Sequence, residues 1–138
     1  MSVLYLLFSP WPPLSLGLLF LCMLVGVHGA NVRVSGLHAS GLRGDPAGNY
    51  PDPYVKVWCG GEPGGMTDWH KDTQNPSWSA VFNFLNVPSS ASLKFEIWDK
   101  DLNFDDHLGT CTTKVQFGSH SVTCGLSSGT FYYTYSYQ

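Results

Sequence analysis

The sequence is short of charge. Of 138 residues only seven are Lys or Arg and ten are Asp or Glu, about half the charged fraction usual in a soluble domain. With a formal net charge of -3 and no basic stripe, nothing stands ready to neutralise a run of phosphates, which excludes nucleic acid as the natural partner. Any attraction to an anionic membrane must then come through a bound cation. Cysteine is scarce too: there are four, none in a Cys-x-x-Cys pair, and the five His are scattered, so the spacing that builds a zinc site is missing. Pro76 disqualifies Asn75-Pro76-Ser77 as a glycosylation acceptor, and no other Asn-x-Ser/Thr occurs. No stretch sustains a helical period beyond a turn.

Residues 1–29 contain no Lys, Arg, Asp or Glu, and Leu14 to Val27 is mostly apolar, ending at Val27-His28-Gly29. This reads as a signal peptide, 1–29, cleaved after Gly29. The run is short for a bilayer span of about 20 residues, and Pro10, Pro12 and Pro13 interrupt what precedes it; the absence of a basic start leaves an uncleaved anchor as the alternative. The expectation is a secreted, extracellular domain over 30–138. Cys22 leaves with the signal, so Cys59, Cys111 and Cys124 remain in an oxidising compartment. Cys111 and Cys124 flank two short strand-like runs and are paired here as neighbours on adjacent antiparallel strands. Cys59 ends the alternation Val55, Val57, Cys59; it is read as a buried thiol, with a disulfide-linked dimer as the sharper alternative.

What the chain does have is a period of two with turn signals between short runs, the signature of an all-β sandwich. Val32 and Val34 alternate in a first strand that Gly36 to Gly44 closes. Strands are expected at Tyr54 to Cys59, at Met66 to His70, over Trp78, Ala80, Phe82 and Phe84, over Leu93, Phe95 and Ile97, at Leu108 to Val115, at Ser121 to Cys124, and through Phe131, Tyr133, Tyr135 and Tyr137. That makes eight.

Between the fifth and sixth of these lies WDKDLNFDDHLG, Trp98 to Gly109, with Asp99, Asp101, Asp105 and Asp106 in eight residues and Lys100 as their one cation. Two carboxylates about 4 Å apart repel by roughly 4 kcal/mol at an effective dielectric near 20, so one loop holds them comfortably only around something positive. Hard carboxylate oxygens without a nearby thiolate suit Ca2+; a solvated acidic turn is the plain alternative. Asp45 and Asp52 bracket a second loop, GDPAGNYPDP, and two acidic loops could share one metal. Arg43-Gly44-Asp45 matches the integrin-binding tripeptide, a three-residue match of low specificity. A hydrolase would need a nucleophile and base, and no Ser/His/Asp or Cys/His constellation recurs in these loops, His107 being the base nearest the acids.

Taken in order, PDPYVKVW (51–58), NPSW with FNF (75–78 and 82–84), and the WDxDxxxxDxLG spacing over Trp98 to Gly109 resemble a C2 domain, across essentially all of 30–138. Within that family the chain is most similar to the C2 domains of the perforin family, through GLRGD (Gly41 to Asp45), Gly60-Gly61 after a strand, LGTC (Leu108 to Cys111) and VTC (Val122 to Cys124). The resemblance implies an eight-stranded antiparallel β-sandwich of type II topology, whose last strand is the permuted one. Its loops would bind Ca2+ and then acidic or zwitterionic phospholipid. By position Asp45, Asp52, Asp99, Asp101 and Asp106 match the ligand pattern, with Asp105 an extra acid of the same set. Leu102 and Phe104 at one loop tip and Tyr50 near the other would enter a membrane, unless they pack inward beneath their loops. Cys111 with Cys124 matches a perforin-like disulfide. No membrane-attack domain accompanies the sandwich, so membrane binding is expected without pore formation. A part in innate defence follows by fold-level analogy. A protein-interaction or adhesion module on the same fold is the other reading, and an enzyme is not expected.

Overall fold

Alternating apolar residues put one face of a strand against water and the other against a second sheet, and the chain forms eight strands on this plan, the third of them exposed throughout. The structure is a computed structural model and describes residues 29–44 and 48–138. Its strands are β1 (Ala30–Ser40), β2 (Pro53–Cys59), β3 (Glu62–Met66), β4 (Phe82–Val87), β5 (Ser92–Asp99), β6 (Asp106–Lys114), β7 (Gly118–Leu126) and β8 (Gly129–Tyr137). They form two four-stranded antiparallel sheets, ordered β4-β1-β8-β7 and β3-β2-β5-β6. The last strand lies between the first and the seventh, which is the permuted order expected.

The core is the set of inward residues read from the alternation. Val32, Val34, Val55, Val57, Leu93, Phe95, Ile97, Phe131, Tyr133, Tyr135 and Tyr137 are buried, joined by Trp78, Phe82 and Phe84; Ala80 is only partly buried. Phe95 packs across the sandwich on Tyr133, with ring centroids 4.1 Å apart and the planes tilted by 37°. Burial pushes the Tyr133 phenol up to about 12.

Three expectations need correction, besides the fourth strand, which begins at Phe82 and leaves Trp78 and Ala80 in the segment before it. The first strand does not stop at Gly36: that glycine takes a left-handed φ of 65° within a register shift between Ser35 and His38, and pairing with β8 resumes to Ser40, as at a β-bulge. The third strand is Glu62–Met66 rather than Met66 to His70, because the tight Gly60-Gly61 turn, both glycines at positive φ, returns the chain at once along β2. The third concerns Cys111 and Cys124, which are bonded but not on adjacent strands of one sheet. Cys111 is on β6 and Cys124 on β7, at the edges of opposite sheets, so the bridge staples the two layers together.

Candidate metal centre

In an antiparallel sandwich the loops after β1, β3, β5 and β7 gather at one end. The inward alternation of β5 delivers Asp99 there, 5% exposed at the rim of the core, opposite both Pro53 on β2 and Asp106 on β6. Asp99, Asp101 and Asp106 each bring a carboxylate oxygen within 4.8 Å of the others. Two oxygens held about 2.4 Å from one Ca2+ stand at most about 4.8 Å apart, so each pair among the three carboxylates lies within the span that a shared ion of that size allows. All donors are hard oxygens, which suits Ca2+ rather than zinc or copper.

The neighbouring acids hold the loops in place. The Asp52 N–H donates to the Asp99 carboxylate at 2.8 Å, and the Lys100 N–H donates back to the Asp52 carbonyl at 2.9 Å, which locks the loop after β1 to the loop after β5. Asp52 in turn accepts the Asp72 N–H at 2.7 Å. Asp105 turns to its own partners: it accepts the Tyr54 hydroxyl at 2.5 Å and the Asp101 N–H at 3.0 Å, with Lys100 Nζ 3.8 Å away. The Tyr54 bond, then the Asp101 N–H, hold the Asp105 carboxyl below the usual range. The Tyr54 phenol is driven well above its ordinary value by burial and then by its bond to Asp105. Asp105 is therefore the staple that shapes the loop, beside the three clustered acids. Asp45 lies outside the described residues, as do residues 1–28 of the expected signal segment.

Leu102 and Phe104 stand fully out in solvent, 103% and 86% exposed, and Tyr50 is 57% exposed. None of the three packs inward beneath its loop. Three residues of this end were not singled out from sequence: Tyr54, Asp72 and Trp69, the last 49% exposed. Thr67, His70 and Thr73 donate their N–H groups to Val55, Pro53 and Pro51, which carries the loop after β3 up beside β2 to the acidic end. Counting strands would have found it, because loops after odd strands share an end.

The imidazoles here are occupied. His107 contacts Thr110 Oγ1 at 2.8 Å and His70 contacts the Ser77 carbonyl at 2.9 Å. Arg43 is fastened to the turn after β7, its guanidinium donating to the Ser127 carbonyl and its N–H to the Ser128 carbonyl, so the side chain is not presented as a free adhesion tripeptide requires. Cys59 is 3% exposed, and burial pushes its thiol up; a bridge from it to a second chain would require the core to open.

The family model for the C2 domain matches residues 30–126. Human perforin-1 is 37% identical over 110 residues, covering 77% of this chain and 19% of perforin-1, so the matched region spans about a fifth of that relative. Extended synaptotagmin-1 of Pongo abelii is 39% identical over 80 residues, 56% of this chain and 6% of its own. Among solved structures, one described as the structure of a C2 domain superposes with a TM-score of 0.75 at 33% identity, covering 79% of this chain and 98% of that one. A human GIVD cytosolic phospholipase A2 superposes at 0.69 with 25% identity, over 80% of this chain and 17% of its own. With the eight-stranded order and the loop geometry above, these place the chain in the C2-domain family, and it belongs there as a perforin-like member.

Proposed function

We propose that this chain is a secreted module that binds phospholipid membranes in a calcium-dependent way. The observation that carries the reading is the convergence of Asp99, Asp101 and Asp106 within 4.8 Å in a loop whose tip exposes Leu102 and Phe104. Asp99, Asp101 and Asp106 would hold Ca2+, with Asp52 and Asp45 supplying further oxygens from the loop after β1. When bound, the ion offers open coordination positions to lipid phosphate oxygens. The chain's own residues do the rest. Asp105 and Tyr54 set the loop's shape, the Asp52 N–H orients Asp99, and Leu102, Phe104 and Tyr50 give apolar surface to the interface, roughly 1.5–3 kcal/mol each on full burial.

Secretion is supported by the uncharged residues 1–29 and by the Cys111–Cys124 bridge, which belongs in an oxidising compartment. A place in innate defence rests on the perforin likeness alone. Pore formation is not part of the proposal. The test uses the full chain expressed through a eukaryotic secretory pathway, with the N-terminus of the product read by mass spectrometry. It is mixed with phosphatidylserine or phosphatidylcholine vesicles across a calcium titration against chelator, beside Asp99→Ala/Asp101→Ala. Calcium-dependent pelleting lost in the double variant supports the reading. Folded wild type left in the supernatant at saturating calcium with both lipids rejects it.

A further inference from the structure

A four-stranded sheet has two edges, and each is a template for another strand unless something blunts it. Three of the four edges here are blunted. β3 has only five residues, among them Pro63 and two glycines, with a register shift against β2. β4 has six, with Asn86 left-handed at φ 53° and a register shift against β1. β6 carries Asp106 and Lys114 and a register shift against β5.

β7 shares with these only its glycines, Gly118 and Gly125, the first at positive φ (101°) at the very start of the strand, and has none of the other devices. Its nine residues, GSHSVTCGL, include no Lys, Arg, Asp, Glu or Pro, and all nine pair with β8 in one unbroken register from Gly118↔Tyr137 to Leu126↔Gly129. In such an antiparallel ladder alternate residues turn N–H and C=O away from the partner strand. No backbone hydrogen bond among the described residues reaches β7 from its outer side. None of its nine residues is buried, and Val122, Cys124 and Leu126 pack against the core while only partly covered. The outer backbone edge of β7 is therefore left unpaired, although the Cys111–Cys124 bridge ties the strand to β6 of the other sheet.

We propose that β7 pairs with β7 of a second copy of this chain, joining two four-stranded sheets into one continuous antiparallel sheet about a twofold axis. A second copy is the occupant the edge itself specifies. The strand has no charge to repel its own image, and centring the twofold on Val122 overlaps all nine residues. Val122 then meets its own copy and Ser121 meets Thr123, a hydroxyl pair of the kind that stabilises cross-strand contacts. The half-covered Val122, Cys124 and Leu126 gain cover on the inner side. Because β7 runs toward the acidic end, antiparallel pairing points the two acidic ends in opposite directions. Granted the membrane reading above, the dimer bridges two membrane surfaces rather than doubling contact with one.

The experiment is sedimentation velocity of the full chain, secreted as above, over a concentration series with chelator and no lipid. Wild type should double in mass as concentration rises. Ser121→Lys/Thr123→Lys sets lysine against lysine in the proposed register and should stay monomeric, with an unchanged far-UV spectrum. Ser121→Lys/Thr123→Glu sets lysine against glutamate and should recover the dimer. A wild type that stays monomeric throughout, or a Lys/Lys variant that still dimerises, overturns the pairing. With calcium and anionic vesicles, wild type should cluster vesicles while the Lys/Lys variant binds without clustering. Equal clustering by both overturns the bridge, and failure of both to bind counts against the membrane reading while leaving the lipid-free result standing.

Discussion

Replacing Leu102 and Phe104 together by alanine separates membrane insertion from folding. Both side chains are essentially as exposed as in an extended chain, 103% and 86%. Their loss removes no core contact, so stability should stay within about 0.5 kcal/mol of wild type, as for ordinary surface changes. On a membrane the same side chains leave water. Full burial is about 1.5–3 kcal/mol for each, and a loop tip reaching only the boundary between headgroups and acyl chains realises roughly half, so the pair loses about 1.5–3 kcal/mol. At about 1.4 kcal/mol per decade this weakens vesicle binding roughly 10- to 100-fold. The assay is titration with anionic vesicles at saturating calcium, run beside a thermal melt and a lipid-free calcium titration. Vesicle affinity should fall while the melt and the calcium affinity hold. Unchanged vesicle affinity would refute insertion of this tip, and lost calcium affinity would show that the two side chains shape the loop instead.

Three further outcomes follow from the same geometry. Tyr54→Phe removes the hydroxyl that Asp105 accepts and should cost about 1.5–3 kcal/mol, the range for hydrogen bonds to charged groups, read by urea denaturation. Cys111→Ala/Cys124→Ala opens the inter-sheet staple, which spans 13 positions; a loop of that size is worth about 3 kcal/mol, and the thermal midpoint should drop by roughly 10–20 °C for a domain of this length. The raised Cys59 thiol keeps its proton in the folded state while the unfolded thiol ionises near pH 8.5. Its stabilising contribution is therefore present below about pH 8.5 and declines as the pH climbs above it. Denaturation midpoints should fall from about pH 8 upward, less steeply in Cys59→Ala, and the native thiol should resist maleimide.

Much of this molecule could be read before it was seen, because a period of two constrains faces strongly. Phe131, Tyr133, Tyr135 and Tyr137 could be assigned to one buried face from spacing alone, and all four are buried. Leu93, Phe95 and Ile97 fixed the direction in which β5 hands Asp99 to the rim. Alternation does not say which sheet a strand joins: Cys111 and Cys124 are bonded as expected, but β7 pairs with β8 while β6 belongs to the other sheet. Nor does it separate acids by their hydrogen bonds. Asp105 and Asp106 are adjacent in sequence, yet Tyr54 and the Asp101 N–H engage Asp105 while Asp106 joins Asp99 and Asp101. Tyr54 escaped notice because an aromatic at a strand start reads as packing.

The distribution of charge sharpens the membrane argument beyond any one ligand. Eight of the ten acids lie between β1 and β2, between β3 and β4, or from Asp99 to Asp106, and only Arg43, Lys71 and Lys100 share those segments. The loop end thus carries five net negative charges, while Arg33, Lys56, Lys94 and Lys114 against Glu62 and Glu96 leave the rest of the chain at plus two. Calcium-free, this end is repelled by an anionic surface. Two divalent ions leave it still slightly negative, and three reverse its sign. The two cases differ in salt response, since screening over a Debye length of about 8 Å at physiological ionic strength weakens a long-range field but hardly touches direct coordination of phosphate. If reversal of sign drives docking, binding to phosphatidylserine vesicles at saturating calcium should weaken markedly as potassium chloride rises. If coordination and the Leu102–Phe104 tip carry it, affinity should hold across the same series, and phosphatidylcholine should serve nearly as well.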